Sequence, residues 1–216
     1  KSLVEGVQFY TENTNNITGM MKSDIGGYKA ENIEFTCAFE IDERKVNQTL
    51  GVALKQKPNC AYDIVDVITS TAPVYEAPVI DGYAALMDNY PESNRFLVDE
   101  KLRNSTDKNR TDWTPRKARE WKDQIIAKLK EHEVEVLVNY LPVGSQKTTE
   151  FWAEIMNALF CSFFSLKDKT NVEEFLSNSA FFINFERTYS FFQLVKSLEF
   201  MGLNYKNLYS VFSRVS

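Results

Sequence analysis

The feature that most constrains the fold is a strand-like run followed by a turn and a helix. Residues 134–140 read Val-Glu-Val-Leu-Val-Asn-Tyr, a nearly continuous apolar stretch that follows a charged segment. Such a run is typical of a parallel strand covered on both faces. A turn at 141–145 follows, and then a helical pattern in which Trp152, Ile155 and Met156 are apolar. Ligands of open α/β sheets bind at the carboxyl ends of strands, so this turn is a candidate binding segment.

The first half of the chain alternates helical and strand patterns. The opening residues show helical spacing, with Leu3, Val4, Val7 and Tyr10 apolar. Residues 33–42 are β-prone, and Asp42 is a natural N-cap for a second helix that starts with residues 43–50. The run 72–80 contains two prolines, which predicts an edge strand or an extended loop. A short amphipathic helix is expected after Asp81 and Gly82.

The second half continues the pattern as far as residue 160. Residues 104–111 are polar and predict an exposed loop. Thr114 followed by Pro115 predicts a capped helix start, with an apolar stripe formed by Trp121, Ile125 and Leu129. The alternation predicts an α/β, doubly wound sheet over 1–160. The tail, 161–216, is rich in phenylalanine and is predicted to be a separate, mainly helical segment.

Composition excludes several classes of function. With 30 acidic against 25 basic residues, the net charge of −5 argues against nucleic-acid binding. No apolar run is long enough to span a bilayer, so no membrane partner is expected. The odd, widely spaced Cys37, Cys60 and Cys161 predict a reducing, cytoplasmic setting and no zinc site. His132 is the only histidine, and we interpret it as a solvated helix end, so no nucleophile–base pair can be assembled.

Two segments are candidate ligand contacts on residue type alone. A carboxylate at a strand end can accept hydrogen bonds from both ribose hydroxyls of a dinucleotide, which makes Glu40 or Asp42 a candidate. A solvated strand end at Glu40 and a helix cap at Asp42 are the simpler interpretation, because no GxGxxG turn is present. Gly144 would allow close backbone approach to a ligand, and Ser145 could meet a ligand or, more simply, cap the next helix.

Several stretches resemble the prokaryotic-type inositol-1-phosphate synthases, also called inositol-3-phosphate synthases. Ser-Leu-Val-Glu-Gly-Val at 2–7 and the segment 35–42 resemble the start of that family. The more specific stretch is Val-Leu-Val-Asn-Tyr-Leu-Pro-Val-Gly-Ser at 136–145, and Ala-Pro-Val-Ile-Asp-Gly at 77–82 is a weaker match. The resemblance covers about residues 1–157.

The resemblance implies a Rossmann domain that binds NAD. Family members are isomerases that convert glucose 6-phosphate to inositol phosphate by oxidation at C5, ring closure and reduction with the same cofactor. It implies that Glu40 contacts the adenine ribose, with Asp42 beside it. The cofactor would also be lined by Leu141, Pro142, Val143, Gly144 and Ser145, with Asp81 and Gly82 as weaker candidates. A homo-oligomer is expected, and no catalytic residue or metal ligand can be assigned.

Departures from the family pattern shape the remaining expectations. The family has a strand and a glycine-rich pyrophosphate turn before the position of Ser2, and a lysine-rich catalytic domain after about residue 157. Neither has a counterpart here, so we expect a partial Rossmann-like sheet that is inactive as given. An out-of-frame translation is our favoured account of the tail, against a lineage-specific replacement or a fused segment. The alternatives in function are another NAD-dependent dehydrogenase and a non-catalytic interaction module.

Overall fold

The computed structural model describes residues 1–59, 61–83, 85–99, 114–142, 144–163 and 181–184. Its helices and strands are α1 (Ser2–Glu12), β1 (Ala38–Glu40), α2 (Leu50–Ala53), β2 (Val74–Glu76), α3 (Pro115–Glu131), β3 (Val136–Asn139), α4 (Gln146–Phe163) and β4 (Phe181–Asn184). Short 3-10 helices cover Ala30–Asn32, Ala85–Asn89 and Glu92–Asn94.

The chain divides into two compact units. The first unit contains residues 1–79, 83–117 and 131–134, and the second contains 80–82, 118–130 and the described residues from 135 onward. Helix α3 therefore contributes residues to both units. None of the described helices combines the length and the apolar character needed to cross a bilayer.

The first unit is built on the parallel pair β1–β2, in which Ala38 lies opposite Val74 and Glu40 opposite Glu76. The other side of β2 is also bonded, because Val74 donates to the Gln48 carbonyl at 3.0 Å and accepts from Asn47 N–H at 2.9 Å. The 72–80 run, predicted as an edge strand or an extended loop, contains a strand of three residues that is bonded on both sides at Val74. The buried core of this unit combines α1, α2 and the segment leading into β2, through Val4, Leu50, Ala53, Ile68, Ala72 and Val74.

The prediction that a helix starts directly after Asp42, with residues 43–50, is wrong. Residues 43–47 form a turn in which the N–H groups of Lys45 and Val46 both bond to the Asp42 carbonyl. Asn47 then adopts φ +60°, and its N–H bonds across to β2 and not back along the chain. A left-handed residue ends a helical path, so the helix is confined to Leu50–Ala53. The strand predicted over 33–42 is likewise shortened, to Ala38–Glu40.

The second unit contains the parallel pair β3–β4, with Val136 opposite Phe181 and Asn139 opposite Asn184. Strand β3 is shorter than the predicted 134–140, and Val136 is 44% exposed. Leu137 and Val138 are half-buried and Asn139 is buried, so coverage of both faces of this strand is not confirmed. Helix α4 buries Phe151, Trp152, Ile155, Met156 and Leu159, so its predicted apolar face is confirmed.

Helix α3 begins where its cap signal predicts. Lys117 N–H donates to Thr114 Oγ1 at 3.2 Å, and Pro115 is the first helical residue. Ile125 and Leu129 are 2% and 1% exposed, as the stripe predicted. Lys122 forms an ion pair with Glu154 of α4 within the second unit.

An α/β fold with parallel strands is confirmed, whereas the doubly wound, Rossmann-like strand order stays a prediction. The helix expected after Gly82 is replaced by the two short 3-10 helices. The predicted loop at 104–111 lies outside the described residues. Of the tail predicted to be mainly helical, the structure describes the end of α4 and the strand β4.

Candidate functional site

Glu40 ends β1, and its carboxylate is held at the strand end. Its Oε1 accepts the N–H of Ile41 at 2.8 Å, and its Oε2 lies 3.7 Å from the Lys45 ammonium. Lys45 is only 11% exposed, and its ammonium also donates to the Pro58 carbonyl at 3.3 Å. The Glu40 side chain is 28% exposed, so its carboxylate is fixed in place yet reachable from outside.

Asp42, two residues further on, is fully buried. The Arg44 guanidinium contacts both of its oxygens, with Nε 2.9 Å from Oδ1 and Nη2 2.6 Å from Oδ2. The N–H groups of Arg44 and Leu97 also donate to this carboxylate, at 3.0 and 3.3 Å. Burial alone would raise the pKa of Asp42, but these hydrogen bonds and the Arg44 charge outweigh it and lower the pKa. The oxygens of Asp42 therefore bond to protein groups.

Asp42 also shows why the predicted helix cap fails. Its Oδ1 does accept the N–H of the residue two positions on, as a capping side chain would. The segment that follows is the 43–47 turn, so Asp42 caps a turn and anchors Arg44. Whether it contacts a cofactor stays a prediction.

The turn at 141–145 is fixed at both ends. Leu141 N–H donates to the Asn139 side-chain oxygen at 2.9 Å, and Ser145 N–H donates to the Pro142 carbonyl at 3.2 Å. Ser145 is 1% exposed, whereas Pro142 and Gly144 are exposed. Gly144 has φ +98°, a conformation that favours glycine. Val143 lies outside the described residues.

Asp81 caps the helix that follows this turn. Its Oδ2 accepts the N–H of Lys147 at 2.8 Å, and its Oδ1 accepts the N–H of Thr148 at 2.9 Å. The Thr148 hydroxyl also donates to Oδ1, at 2.6 Å. These are the second and third residues of α4, whose N–H groups have no partner inside the helix.

Ser145 precedes α4 but does not supply these capping bonds. Its carbonyl accepts Thr149 N–H at 2.9 Å, which places Ser145 at the N-cap position. The N–H groups that an N-cap side chain normally bonds are already bonded to Asp81. The prediction that the Ser145 side chain caps the helix is therefore wrong.

His132 is not a solvated helix end, and that prediction is wrong. It lies just after α3, is half-buried, and its Nε2 is 2.7 Å from the Tyr75 hydroxyl. Its ring also lies 5.6 Å from the Tyr75 ring, and Tyr75 in turn packs against Phe39. Within the described ranges, no three acidic, histidine or cysteine side chains cluster in a way that could hold a metal ion.

Three polar residues that hold the turn in place were not predicted from the sequence. The buried Asn139 side chain donates to Thr149 Oγ1 at 3.1 Å and accepts Leu141 N–H, which ties β3 to α4. Thr148 and Thr149 are each 4% exposed. The available signal was polar residues at the end of an apolar strand and in the first turn of an apolar helix.

Sequence comparison with known proteins identifies relatives of this chain. Over 164 residues, which are 75% of this chain, it is 30% identical to the inositol-3-phosphate synthase of Corynebacterium glutamicum. The protein of the same name from Mycolicibacterium smegmatis is 31% identical over 156 residues, or 71% of this chain. The resemblance to the inositol-3-phosphate synthases is confirmed. The Mycobacterium tuberculosis H37Rv synthase gives 30% identity over 156 residues.

The matched region is a minority of each relative. It spans 39% of the C. glutamicum synthase and 36% of the two mycobacterial synthases. No family model matches the chain. Among solved structures, the crystal structure of Ari2 aligns with a TM-score of 0.50 at 20% identity, over 74% of this chain and 39% of that one. That likeness shows a shared fold alone.

Proposed function

We propose that this chain is the NAD-binding part of an inositol-3-phosphate synthase. The observation that carries the proposal is the match to synthases at 30–31% identity over more than 70% of the chain. The reaction proposed for the whole protein is the isomerisation of glucose 6-phosphate to inositol phosphate. NAD, when bound, supplies a hydride acceptor for the sugar and returns the hydride after ring closure.

Glu40 is the residue proposed to hold the adenine ribose. Its carboxylate fits that part because one oxygen is fixed by Ile41 N–H and the other is directed to Lys45 at 3.7 Å, longer than a direct hydrogen bond. A carboxylate has about four acceptor positions, so ribose hydroxyls can bond without displacing these contacts. Hydrogen bonds from hydroxyl donors to an ionised carboxylate are stronger than those between neutral groups.

The 141–145 turn is proposed as a second cofactor contact. It lies at the carboxyl end of β3, where open α/β sheets bind ligands. Pro142 and Gly144 are exposed there, and Gly144 presents backbone without a side chain. The described residues of the turn would present backbone groups to the cofactor at fixed positions, since hydrogen bonds within the turn already fix its conformation.

Titration calorimetry with NAD tests the ribose assignment. Changing Glu40→Gln removes the charge but keeps an oxygen for Ile41 N–H, so the fold should survive. Loss of a hydrogen bond to a charged group costs about 1.5–3 kcal/mol, so we expect affinity to fall roughly tenfold to a hundredfold. Glu43→Gln is the matched control, because Glu43 is exposed three residues away. Equal affinities for the two variants would reject Glu40 as the ribose ligand.

Product analysis of a longer protein that contains this segment and the catalytic domain separates the proposed reaction from that of an ordinary dehydrogenase. With glucose 6-phosphate and catalytic NAD, a synthase accumulates inositol phosphate and no net NADH. Accumulation of NADH would instead favour another NAD-dependent dehydrogenase. No NAD binding by the wild-type chain would reject this chain as a cofactor-binding part.

A further inference from the structure

Asp81 forms several hydrogen bonds with the first turn of α4. Both carboxylate oxygens accept N–H groups of α4, and Oδ1 also accepts the Thr148 hydroxyl. Asp81 N–H in turn donates to Thr148 Oγ1 at 3.3 Å. The segment that carries Asp81 is therefore joined to the start of α4 by four hydrogen bonds between residues 66 and 67 positions apart.

Gly82, the next residue, fits closely against the end of the turn. A Cβ placed on Gly82 would lie 2.0 Å from Ser145 Oγ and 3.2 Å from Ser145 Cα. Gly82 also has φ +82°, which an L side chain rarely adopts. Any side chain at position 82 must therefore move Ser145, which is the last residue of the 141–145 turn.

We propose that Asp81 and Gly82 are positioning residues for the 141–145 turn and do not contact the cofactor themselves. Asp81 fixes the first turn of α4, and Gly82 leaves the space that Ser145 occupies. Asn139 fixes the other end of the turn through Leu141 N–H. The inference rests on the proposed function for its effect on NAD, but its structural part can be tested without any ligand.

Substitutions at Thr148 give the sharpest test, because they separate loss of the hydroxyl group from a change in side-chain volume. Thr148→Val removes the hydroxyl bonded to Asp81 and keeps the shape, whereas Thr148→Ser keeps the hydroxyl. Asp81→Asn replaces a double acceptor with a group that offers one oxygen to two N–H donors. Asp24→Asn is its control, since Asp24 accepts one backbone N–H, that of Gly27, in an exposed turn.

Gly82→Ala tests the close approach directly. Its matched control is Gly27→Ala, which shares a positive φ of +94° but has nothing within 4 Å of a Cβ. Both substitutions strain the backbone, but only Gly82→Ala displaces Ser145. A difference between the two variants therefore reports the contact with the turn.

Two readouts are needed, amide hydrogen exchange at Lys147 and Thr148, and NAD affinity by calorimetry well below the unfolding temperature. We expect Asp81→Asn, Thr148→Val and Gly82→Ala to exchange at least tenfold faster at these amides. The same variants should bind NAD roughly tenfold more weakly, about 1.4 kcal/mol. Thr148→Ser and the two controls should match wild type in both.

The outcomes distinguish this inference from the proposed function. If wild type binds NAD and these variants bind it equally well, the positioning role is overturned while NAD binding stands. If Asp81→Asn loses NAD binding with unchanged amide exchange, Asp81 is a direct ligand and the inference is also overturned. If wild type binds no NAD, the proposed function fails, and amide exchange alone decides whether Asp81 and Gly82 fix the turn.

Discussion

Replacing Asp42 with alanine should destabilise the first unit more than removing any exposed aspartate. Asp42 is fully buried, and its carboxylate accepts two backbone N–H groups and the Arg44 guanidinium. Alanine would leave the N–H groups of Arg44 and Leu97 without this acceptor. It would also leave Arg44 without its carboxylate partner.

The expected loss of folding free energy depends on the hydrogen bonds that Arg44 retains in the variant. Removing one member of a buried ion pair costs about 3–5 kcal/mol when the other charge is left unpaired. Arg44 is 25% exposed and still donates to the carbonyls of Glu92 and Arg95 at 2.9 and 2.8 Å. The cost should therefore lie near the lower end, about 3 kcal/mol. For a chain of this size, that lowers the melting temperature by roughly 6–12 °C.

Thermal unfolding followed by circular dichroism at several pH values is the assay. The folded pKa of Asp42 is lowered, so the carboxylate stabilises the fold fully above the ordinary aspartate pKa of about 3.9. That contribution is lost as the pH falls through the lowered folded pKa. The gap in stability between wild type and Asp42→Ala should therefore be constant near neutral pH and shrink below about pH 4.

The control is Asp66→Ala, because Asp66 is exposed in the same unit. A surface change of this kind usually costs less than about 0.5 kcal/mol. The reasoning is refuted if both variants melt at the same temperature. It is also refuted if the loss at Asp42 does not change between neutral and acidic pH.

Two smaller predictions follow from single side chains. Burial raises the pKa of the Cys37 thiol to about 11. Because the thiolate is the reactive form, alkylation near pH 8 should be about tenfold slower, or more, in the folded chain than in urea. Peptide mass spectrometry measures both rates. Equal rates would show that Cys37 is exposed. Thr114→Ala should lower the free energy of unfolding by about 1 kcal/mol, because it removes the cap on Lys117 N–H. Thr114→Ser should keep the cap and the stability. Equal stability of the two variants would exclude a capping role.

Features set by neighbouring residues could be predicted from the sequence. Helix α3 begins at Pro115 because Thr114 caps it, and its buried Ile125 and Leu129 follow the helical period. The apolar face of α4 was predicted in the same way. In both helices, the deciding information lies within four residues along the chain.

Features set by distant contacts could not be predicted. The helix expected at 43–50 gives way to a turn because Asn47 N–H bonds to Val74, 27 positions later. His132 is half-buried because Tyr75, 57 residues earlier, bonds to its ring. Nothing near either residue in the sequence indicates the partner, since local propensity yields to tertiary contacts of this kind.

The same limit explains why residue type alone did not separate the proposed ligand contact from the proposed positioning residue. Glu40 and Asp81 are both carboxylates in segments that resemble the synthases, but their oxygens differ in what they bond. A ribose hydroxyl can add to Glu40 without breaking a bond, because Oε2 is 3.7 Å from Lys45 and the side chain is 28% exposed. A ligand hydroxyl at Asp81 would compete with helix N–H groups at 2.8 and 2.9 Å, and losing such a cap costs about 1 kcal/mol. Under the proposed function, ribose binding therefore favours Glu40, and the same physical reason makes Asp81 better suited to fix the turn.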